Sequence, residues 1–127
     1  MAKVNEIYKC NICGNIISII VAGVGHPVCC GQEMELLAEK TAVSEGKEKH
    51  VPVVEIKGNN VTVKVGSIPH PMEDKHYIAL VQLMQNGKIV AGKRLYPGDK
   101  PEVSFCLDNA KGIKARELCN IHGLWRN

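Results

Sequence analysis

The side chains of this sequence that could carry chemistry are six cysteines and five histidines in 127 residues. Both types bind transition metals, cysteine as a thiolate and histidine through a neutral ring nitrogen. The net charge is only +3 and aromatic residues make up 4%, so neither a polybasic surface nor a base-stacking platform for nucleic acid is predicted. The composition therefore favours a metalloprotein.

Four of the cysteines form two pairs near the N-terminus. Cys10 and Cys13 make a Cys-x2-Cys motif before Gly14, and Cys29 and Cys30 are adjacent, with fifteen residues between Cys13 and Cys29. A turn here can direct backbone N–H groups at the first sulfur, and glycine allows the positive φ that the turn needs. Four thiolates fill a tetrahedral shell, which suits Zn²⁺ or a single iron. Such a closed site is structural or transfers electrons, and the spacing does not distinguish the two metals.

The second group of candidate ligands is spread along the rest of the chain: His50, His70, His76, Cys119 and His122. His70 stands between two prolines, which limit the entropy lost in presenting a ligand. Cys119 and His122 form a Cys-x2-His motif. All five fall at predicted loops or strand ends, where a rigid scaffold can bring distant residues to one point.

Four nitrogens and one thiolate exceed the needs of a structural zinc site and suit square-pyramidal coordination with one vacant position. A thiolate opposite the vacancy would donate electron density to whatever binds there. Neutral imidazoles leave a ferrous centre cationic, and Lys49 beside His50 adds positive charge. If the metal is iron, the pattern predicts a redox centre that meets a small anionic oxidant.

The elements that must position these residues are predicted to be strands. Residues 1–37 are too few to bury a self-sufficient core and require an additional constraint such as a bound metal. Residues 39–50 are predicted to be a linker and exposed loop. Strands are predicted at residues 53–56, 61–65, 77–84, 88–92, 102–107 and 113–119, with helical potential only over 108–115. Short strands separated by turn signals such as Asn86-Gly87 indicate a β-sandwich. We predict a mainly β protein with a metal module at 1–37 and a sandwich at 38–127.

The sequence also predicts a cytoplasmic protein without a membrane partner. Its longest apolar run, residues 16–22, is too short to cross a bilayer, and the N-terminus lacks the pattern of a secretory signal. In a reducing compartment, grouped cysteines more often bind metal than form disulfides.

The motifs together resemble those of desulfoferrodoxins, the two-iron class of superoxide reductases. The resemblance is carried by Cys10-x2-Cys13 with Cys29-Cys30, by Glu48-Lys49-His50-Val51-Pro52, by His70-Pro71-Met72 and Lys75-His76-Tyr77-Ile78, and by Cys119-Asn120-Ile121-His122-Gly123. It implies a desulforedoxin-like module with one iron on four thiolates, followed by an immunoglobulin-like sandwich of seven strands. Zinc can replace iron in a four-thiolate site.

The same resemblance implies residue roles. The four histidines of the second group would be equatorial ligands of a catalytic iron, and Cys119 would be axial. Lys49 would steer superoxide to the open position, and Glu48 would occupy that position in the resting ferric state. The implied reaction is one-electron reduction of superoxide to hydrogen peroxide, with electrons from rubredoxin or a similar donor, in a homodimer.

The sequence is also compatible with two alternatives. One is a zinc protein, in which a four-cysteine adaptor precedes a second structural zinc site. The other is a rubredoxin-type carrier whose histidine-rich site only stores or relays electrons. Outside both ligand groups, His26 is interpreted as a loop histidine, Cys106 as a small buried hydrophobic residue, and Trp125 as either a cover for the second site or an apolar plug.

Overall fold

The computed structural model describes residues 2–41 and 47–127, and for residues 47 and 48 the backbone only. The chain divides into two compact units, Met1–Ala38 and Glu39–Asn127. No helix in the described ranges is both long and apolar enough to span a membrane.

The N-terminal unit is built from five short strands: β1 (Ile7–Lys9), β2 (Ile16–Ser18), β3 (Val28–Cys29), β4 (Gln32–Glu33) and β5 (Glu35–Leu36). Strands β2, β1 and β5 form an antiparallel sheet in that order, and β3 pairs with β4 as a hairpin. Its small core contains Ala2, Tyr8, Cys10 and Met34. The cysteine that begins the first motif is therefore also a core residue.

The C-terminal unit contains β6 (Glu39–Lys40), α1 (Lys47–His50), β7 (Pro52–Lys57), β8 (Asn60–Val65), β9 (Ile78–Gln85), β10 (Lys88–Arg94), β11 (Glu102–Cys106), β12 (Lys114–Cys119) and β13 (Gly123–Arg126). One sheet has the order β10-β9-β12-β13-β6 and the other β11-β8-β7. Neighbouring strands are antiparallel except for the parallel pair of β13 and β6.

Side chains from both sheets share one core, which confirms the predicted β-sandwich. Val61, Val63 and Val65 alternate along β8 and are each at most 1% exposed. They belong to the same buried cluster as Val81 and Leu83 of β9 in the other sheet. Period-two alternation places every second side chain on one face, so a single strand of valines predicts the buried side of its sheet.

The predicted Asn86-Gly87 turn is also confirmed. Gln85 pairs with Lys88, and Asn86 and Gly87 have φ of 53° and 76°. Two consecutive residues at positive φ match the right-handed twist of the strands that they join.

Several sequence-based expectations were wrong. Residues 108–113 form no helix, and β12 begins at Lys114; the helical turn in the described chain is α1. The predicted linker at 39–50 contains β6 and α1. Cys106 is exposed because Val103 and Phe105 occupy the inward positions of β11, which leaves Cys106 and Ser104 on the outer face.

Candidate metal centres

The four cysteines of the N-terminal unit converge on one point. One sulfur from each of Cys10, Cys13, Cys29 and Cys30 lies within 4.8 Å of the others. The Sγ atoms of Cys13 and Cys29 are 3.6 Å apart, and those of Cys29 and Cys30 are 3.9 Å apart. A tetrahedron with metal–sulfur bonds of about 2.3 Å has edges of about 3.8 Å. The sulfurs are therefore spaced to enclose one metal ion.

Local backbone geometry brings each cysteine pair to this point. The N–H of Cys13 donates to the Sγ of Cys10 at 3.5 Å, and Gly14 has φ of 84°, as the Cys-x2-Cys motif predicts. Cys29 ends β3, and Cys30 and Gly31 form the turn to β4 with φ of 54° and 74°. The adjacent cysteines thus occupy a strand end and a hairpin turn. This hairpin was not predicted, although the glycine after the pair is its sequence signal.

The thiols of Cys10, Cys29 and Cys30 differ in acidity. Backbone N–H groups of Cys13 and Ile12 lower the pKa of the Cys10 thiol to about 6. Hydrogen bonds among the sulfurs, chiefly with Cys13, raise the pKa of both Cys29 and Cys30. Four thiolates this close to one another repel, so the fully deprotonated cluster requires a central cation.

The second centre is a closed arrangement of four imidazole rings. Neighbouring ring centroids are 4.7 Å apart for His50 and His70, 4.7 Å for His70 and His76, 5.0 Å for His76 and His122, and 4.8 Å for His122 and His50. The ligand atoms of His50, His70, His122 and Cys119 all lie within 4.8 Å of one another. His76 is outside that set and is brought to the centre by its ring contacts with two neighbours.

All five candidate ligands come from one end of the sandwich. His50 ends α1 directly before β7, His70 follows β8, and His76 precedes β9. Cys119 ends β12, and His122 lies in the turn to β13. The start of β7 pairs with the end of β8, and the start of β9 with the end of β12. Antiparallel pairing therefore gathers residues that are far apart in sequence at a single edge.

Gly66 makes the convergence sterically possible. It has φ of 84°, and a Cβ built on it would lie 2.5 Å from the carbonyl oxygen of Lys49 and 2.6 Å from that of Ile68. The segment that leads to His50 and the loop that leads to His70 therefore pass within contact of this one residue. A side chain at position 66 would push them apart.

Hydrogen bonds and burial indicate which ring nitrogens face the centre. The Nδ1 of His70 lies 2.7 Å from the carbonyl oxygen of Pro71, to which its N–H can donate. The Nε2 atoms of His70 and His76 are buried without a hydrogen-bond partner among the described residues. The Nδ1 of His122 is 3.9 Å from the Sγ of Cys119. A buried nitrogen that lacks a partner costs about 1–3 kcal/mol, and a metal ion would supply the missing interaction.

The histidines are electrically suited to bind a cation. Burial, reinforced by the neighbouring imidazoles, lowers the pKa of His50 to about 4, and burial also lowers the pKa of His70 and His122. These rings are therefore neutral near pH 7, which is the form that coordinates metal. Burial raises the pKa of the Cys119 thiol, while the backbone N–H of His122, 3.4 Å from the sulfur, opposes that shift.

Trp125 packs directly against the centre. Its ring is 2% exposed and stacks on His50 with centroids 4.7 Å apart and an interplanar angle of 22°. Its Nε1 donates to the carbonyl oxygen of His122 at 3.1 Å. The sequence allowed two interpretations of Trp125, a cover for the second site or an apolar plug. Its position agrees with the cover.

Two residues near the centre were not identified from the sequence. Lys40 of β6 donates to the carbonyl oxygen of His122 at 2.9 Å, and its Nζ lies 5.2 Å from the centre of the Trp125 ring. Glu117 of β12 is buried with its carboxylate 3.9 Å from the Nδ1 of His50. The sequence feature that could have identified Glu117 is its position in the strand. It lies two residues from both Ala115 and Cys119, so it shares the inward face of β12 with them.

Lys49 is exposed beside the buried His50. The side chain of Glu48 lies outside the described part of the chain. In the N-terminal unit, His26 places its Nε2 3.1 Å from the carbonyl oxygen of Met34, and its ring lies nearly perpendicular to that of Tyr8, with centroids 5.4 Å apart. It therefore packs beside the small core.

Comparisons with known proteins cover both units. Residues 42–127 match the family described as desulfoferrodoxin, and residues 2–37 match the desulfoferrodoxin N-terminal domain. A desulfoferrodoxin homolog of Archaeoglobus fulgidus is 50% identical over 100% of this chain and 99% of its own length. A desulfoferrodoxin of Nitratidesulfovibrio vulgaris is 51% identical over 95% of this chain and 94% of its own.

Solved structures give the same correspondence. The superoxide reductase from Treponema pallidum aligns with a TM-score of 0.74 and 32% identity over 96% of each chain. A superoxide reductase with one iron from Giardia intestinalis aligns with a TM-score of 0.56 and 34% identity over 64% of this chain and 96% of its own.

Proposed function

The chain belongs to the desulfoferrodoxin family, and on that premise we propose that it is a superoxide reductase. Superoxide would take up one electron and two protons and leave as hydrogen peroxide, without the dioxygen that a dismutase releases. The single observation that carries the proposal is the convergence of four imidazoles and one buried thiol at the edge of the sandwich. This donor set is larger than a structural zinc site requires.

His50, His70, His76, His122 and Cys119 are the residues that would hold a mononuclear iron at this centre. Iron bound there supplies the electron and an open coordination position. The Cys119 sulfur would donate electron density to the metal, and the N–H of His122, 3.4 Å from that sulfur, would modulate the donation. Trp125 shields His50 from water by stacking on one face of its ring.

Lys49 is proposed to bring the anionic substrate to the centre. Its side chain is exposed next to the ligand His50, where a positive charge raises the local concentration of superoxide. Its ammonium group would also order the water that delivers protons to the product. Glu48 is proposed to occupy the open position when the centre is oxidised and at rest.

The four-cysteine cluster is proposed to hold a second iron that exchanges single electrons, and zinc can replace that iron. We assign this cluster to a domain of residues 1–37 and the catalytic centre to residues 38–127. Rubredoxin or a similar small redox protein is the proposed electron donor. We further propose that the protein acts in the cytoplasm as a homodimer.

Pulse radiolysis of the reduced protein tests the activity directly. We expect a second-order reaction with superoxide that oxidises the ferrous second centre, seen as new visible absorption of a ferric thiolate, and yields one hydrogen peroxide per superoxide consumed. A colourless protein that contains only zinc would support the adaptor alternative instead. A coloured protein whose second centre does not react with superoxide would support the carrier alternative.

The Lys49→Ala variant tests the steering role. We expect its second-order rate at low salt to fall roughly tenfold and the difference from wild type to shrink as salt is added. Lys88→Ala is the matched control, because Lys88 is an exposed lysine in the β9–β10 hairpin. An unchanged rate for Lys49→Ala at low salt, or an equal loss in both variants, would remove the steering role and leave the reaction assignment intact.

A further inference from the structure

Glu117 is a carboxylate in the interior of the sandwich. It is 1% exposed and lies on the inward face of β12, between Ala115 and Cys119, which both belong to the core cluster. Both of its carboxylate oxygens are buried without a hydrogen-bond partner in the part of the chain that the structure describes. Burial of an uncompensated carboxylate is costly, so a strand that is otherwise apolar at these positions gains no stability from it.

A candidate metal ligand lies close to this carboxylate. The Oε2 of Glu117 is 3.9 Å from the Nδ1 of His50. That nitrogen is also buried and also lacks a partner among the described residues. Two unsatisfied polar atoms therefore face each other across a gap slightly longer than a hydrogen bond, and a small ring or side-chain adjustment would satisfy both.

The neighbouring ligand His70 shows how such a partner acts. Its Nδ1 lies 2.7 Å from the carbonyl oxygen of Pro71, and its Nε2 is left buried and free. A neutral imidazole has one N–H and one lone pair, so the acceptor that takes the N–H determines which nitrogen can bind metal. His50 has no such backbone acceptor within hydrogen-bond distance among the described residues, and Glu117 stands in the corresponding position.

We propose that Glu117 is a positioning residue for the second metal centre, whose carboxylate accepts a hydrogen bond from the Nδ1–H of His50 and so presents the Nε2 of His50 to the metal. This inference rests on the proposed function, because it requires a metal at that centre. The carboxylate also makes the ring a stronger donor, and the bound cation in turn offsets the cost of the buried negative charge. Trp125 on the ring face and Glu117 at the ring edge together fix the orientation of His50.

A positioning role predicts two effects of opposite sign. Removing the carboxylate should weaken metal binding, because the ring of His50 loses the group that selects its tautomer. The same change should stabilise the metal-free protein, because a buried carboxylate without a partner is replaced by an apolar side chain. A residue that served only the core would move both quantities in the same direction.

Glu117→Leu and Glu117→Gln separate these effects. Leucine removes the acceptor, whereas glutamine keeps one acceptor oxygen at nearly the same place. We expect Glu117→Leu to lower the ferrous-iron affinity of the second centre by about 10–100-fold, measured by competition with a chelator, and to raise the urea midpoint of the metal-free protein. We expect Glu117→Gln to retain most of the affinity. The visible absorption of the four-cysteine iron is the internal control and should be the same in all three proteins.

A spectroscopic measurement on wild-type protein tests the same contact without a mutation. In the protein loaded with Zn²⁺ alone, nitrogen NMR should show His50 protonated at Nδ1, and Glu117→Gln should show the same tautomer. Wild-type affinity in Glu117→Leu, an equal loss in both variants, or protonation of His50 at Nε2 would each overturn the inference. If Glu117→Leu does not fold, the tautomer of His50 decides. A wild-type protein that takes up metal at the cysteines and none at the histidines would overturn the proposed function as well.

Discussion

The N-terminal and C-terminal units differ in how much apolar surface each buries around its candidate metal centre. In the described chain, the core of the N-terminal unit is a cluster of four buried residues, one of which is the candidate ligand Cys10. Ile20, Val21 and Val24 of the same unit are more than 80% exposed. The sandwich buries eleven clustered residues from both sheets, and Cys119 is one member of that larger set.

This difference predicts opposite roles for a metal bound at each centre. The N-terminal unit has too little core to define its own structure, so the metal would hold its turns and short strands together. The sandwich has a core that does not depend on metal, and it prepares a site with buried nitrogens that lack partners. We therefore expect a metal to stabilise the fold of the first unit, and the fold of the second unit to form the metal site in advance.

Removal of all metal should have the largest effect, and it should affect the N-terminal unit far more than the sandwich. We expect the backbone amide signals of residues 2–38 to collapse to unfolded positions in a nitrogen–proton NMR spectrum, because the four-thiolate centre is the main constraint on that unit. Signals of Val61, Val63 and Leu83 should stay dispersed, since their core is complete without metal. Addition of Zn²⁺ should restore the N-terminal signals, and a dispersed N-terminal spectrum in metal-free protein would contradict the assigned role.

Replacement of the thiolate at the second centre should separate activity from stability. Cys119→Ser is nearly isosteric, so we expect a small change in the urea midpoint of the metal-free protein. The second-order rate with superoxide should fall by more than the roughly 10–100-fold that is typical when a partner of a metal ligand is lost. Cys106→Ser is the matched control, because Cys106 is exposed at the end of β11. A Cys119→Ser variant that kept its rate would show that the sulfur is not needed.

The features that could be predicted from sequence are those that local chemistry determines. The valines of β8 alternate because of the strand period, and Asn86-Gly87 turns because both residues tolerate positive φ. The cysteines and histidines stand out because few other side chains bind transition metals. Their convergence follows from placing candidate ligands at strand ends of a sandwich.

The features that were missed depend on tertiary context. Strand β6 has two residues and forms only by parallel pairing with β13, which no local pattern encodes. A glutamate is usually a surface residue, and the burial of Glu117 follows from the pairing of β12 with β9 and β13. Cys106 was assigned to the interior by residue type, whereas the alternation of β11 places it outside.

Gly66 tests how closely the sandwich constrains its ligand segments. Gly66→Ala should destabilise the metal-free protein and lower the iron content of the second centre, because the new Cβ meets the Lys49 carbonyl that precedes His50. Gly87→Ala is the control, since Gly87 has a similar φ of 76° and open space around a built Cβ. Positive φ alone costs about 1–2 kcal/mol, so Gly66→Ala should cost at least about 1 kcal/mol more in urea unfolding. Equal costs, with full iron content in both, would show that the segments can move apart freely.

Substitution of Lys40 should have the smallest effect on stability, and it tests how β6 supports the turn that carries His122. Lys40→Met keeps the unbranched stem near Trp125 and removes both the cation and the donor to the His122 carbonyl. The carbonyl keeps its hydrogen bond from Trp125, so we expect a loss of at most about 1 kcal/mol in urea unfolding and a slightly faster amide exchange in the Cys119–His122 turn. Lys93→Met is the control, because Lys93 is exposed in β10 at the opposite edge of the same sheet. If both variants exchanged equally at that turn, Lys40 would be a surface lysine and β6 alone would hold the edge.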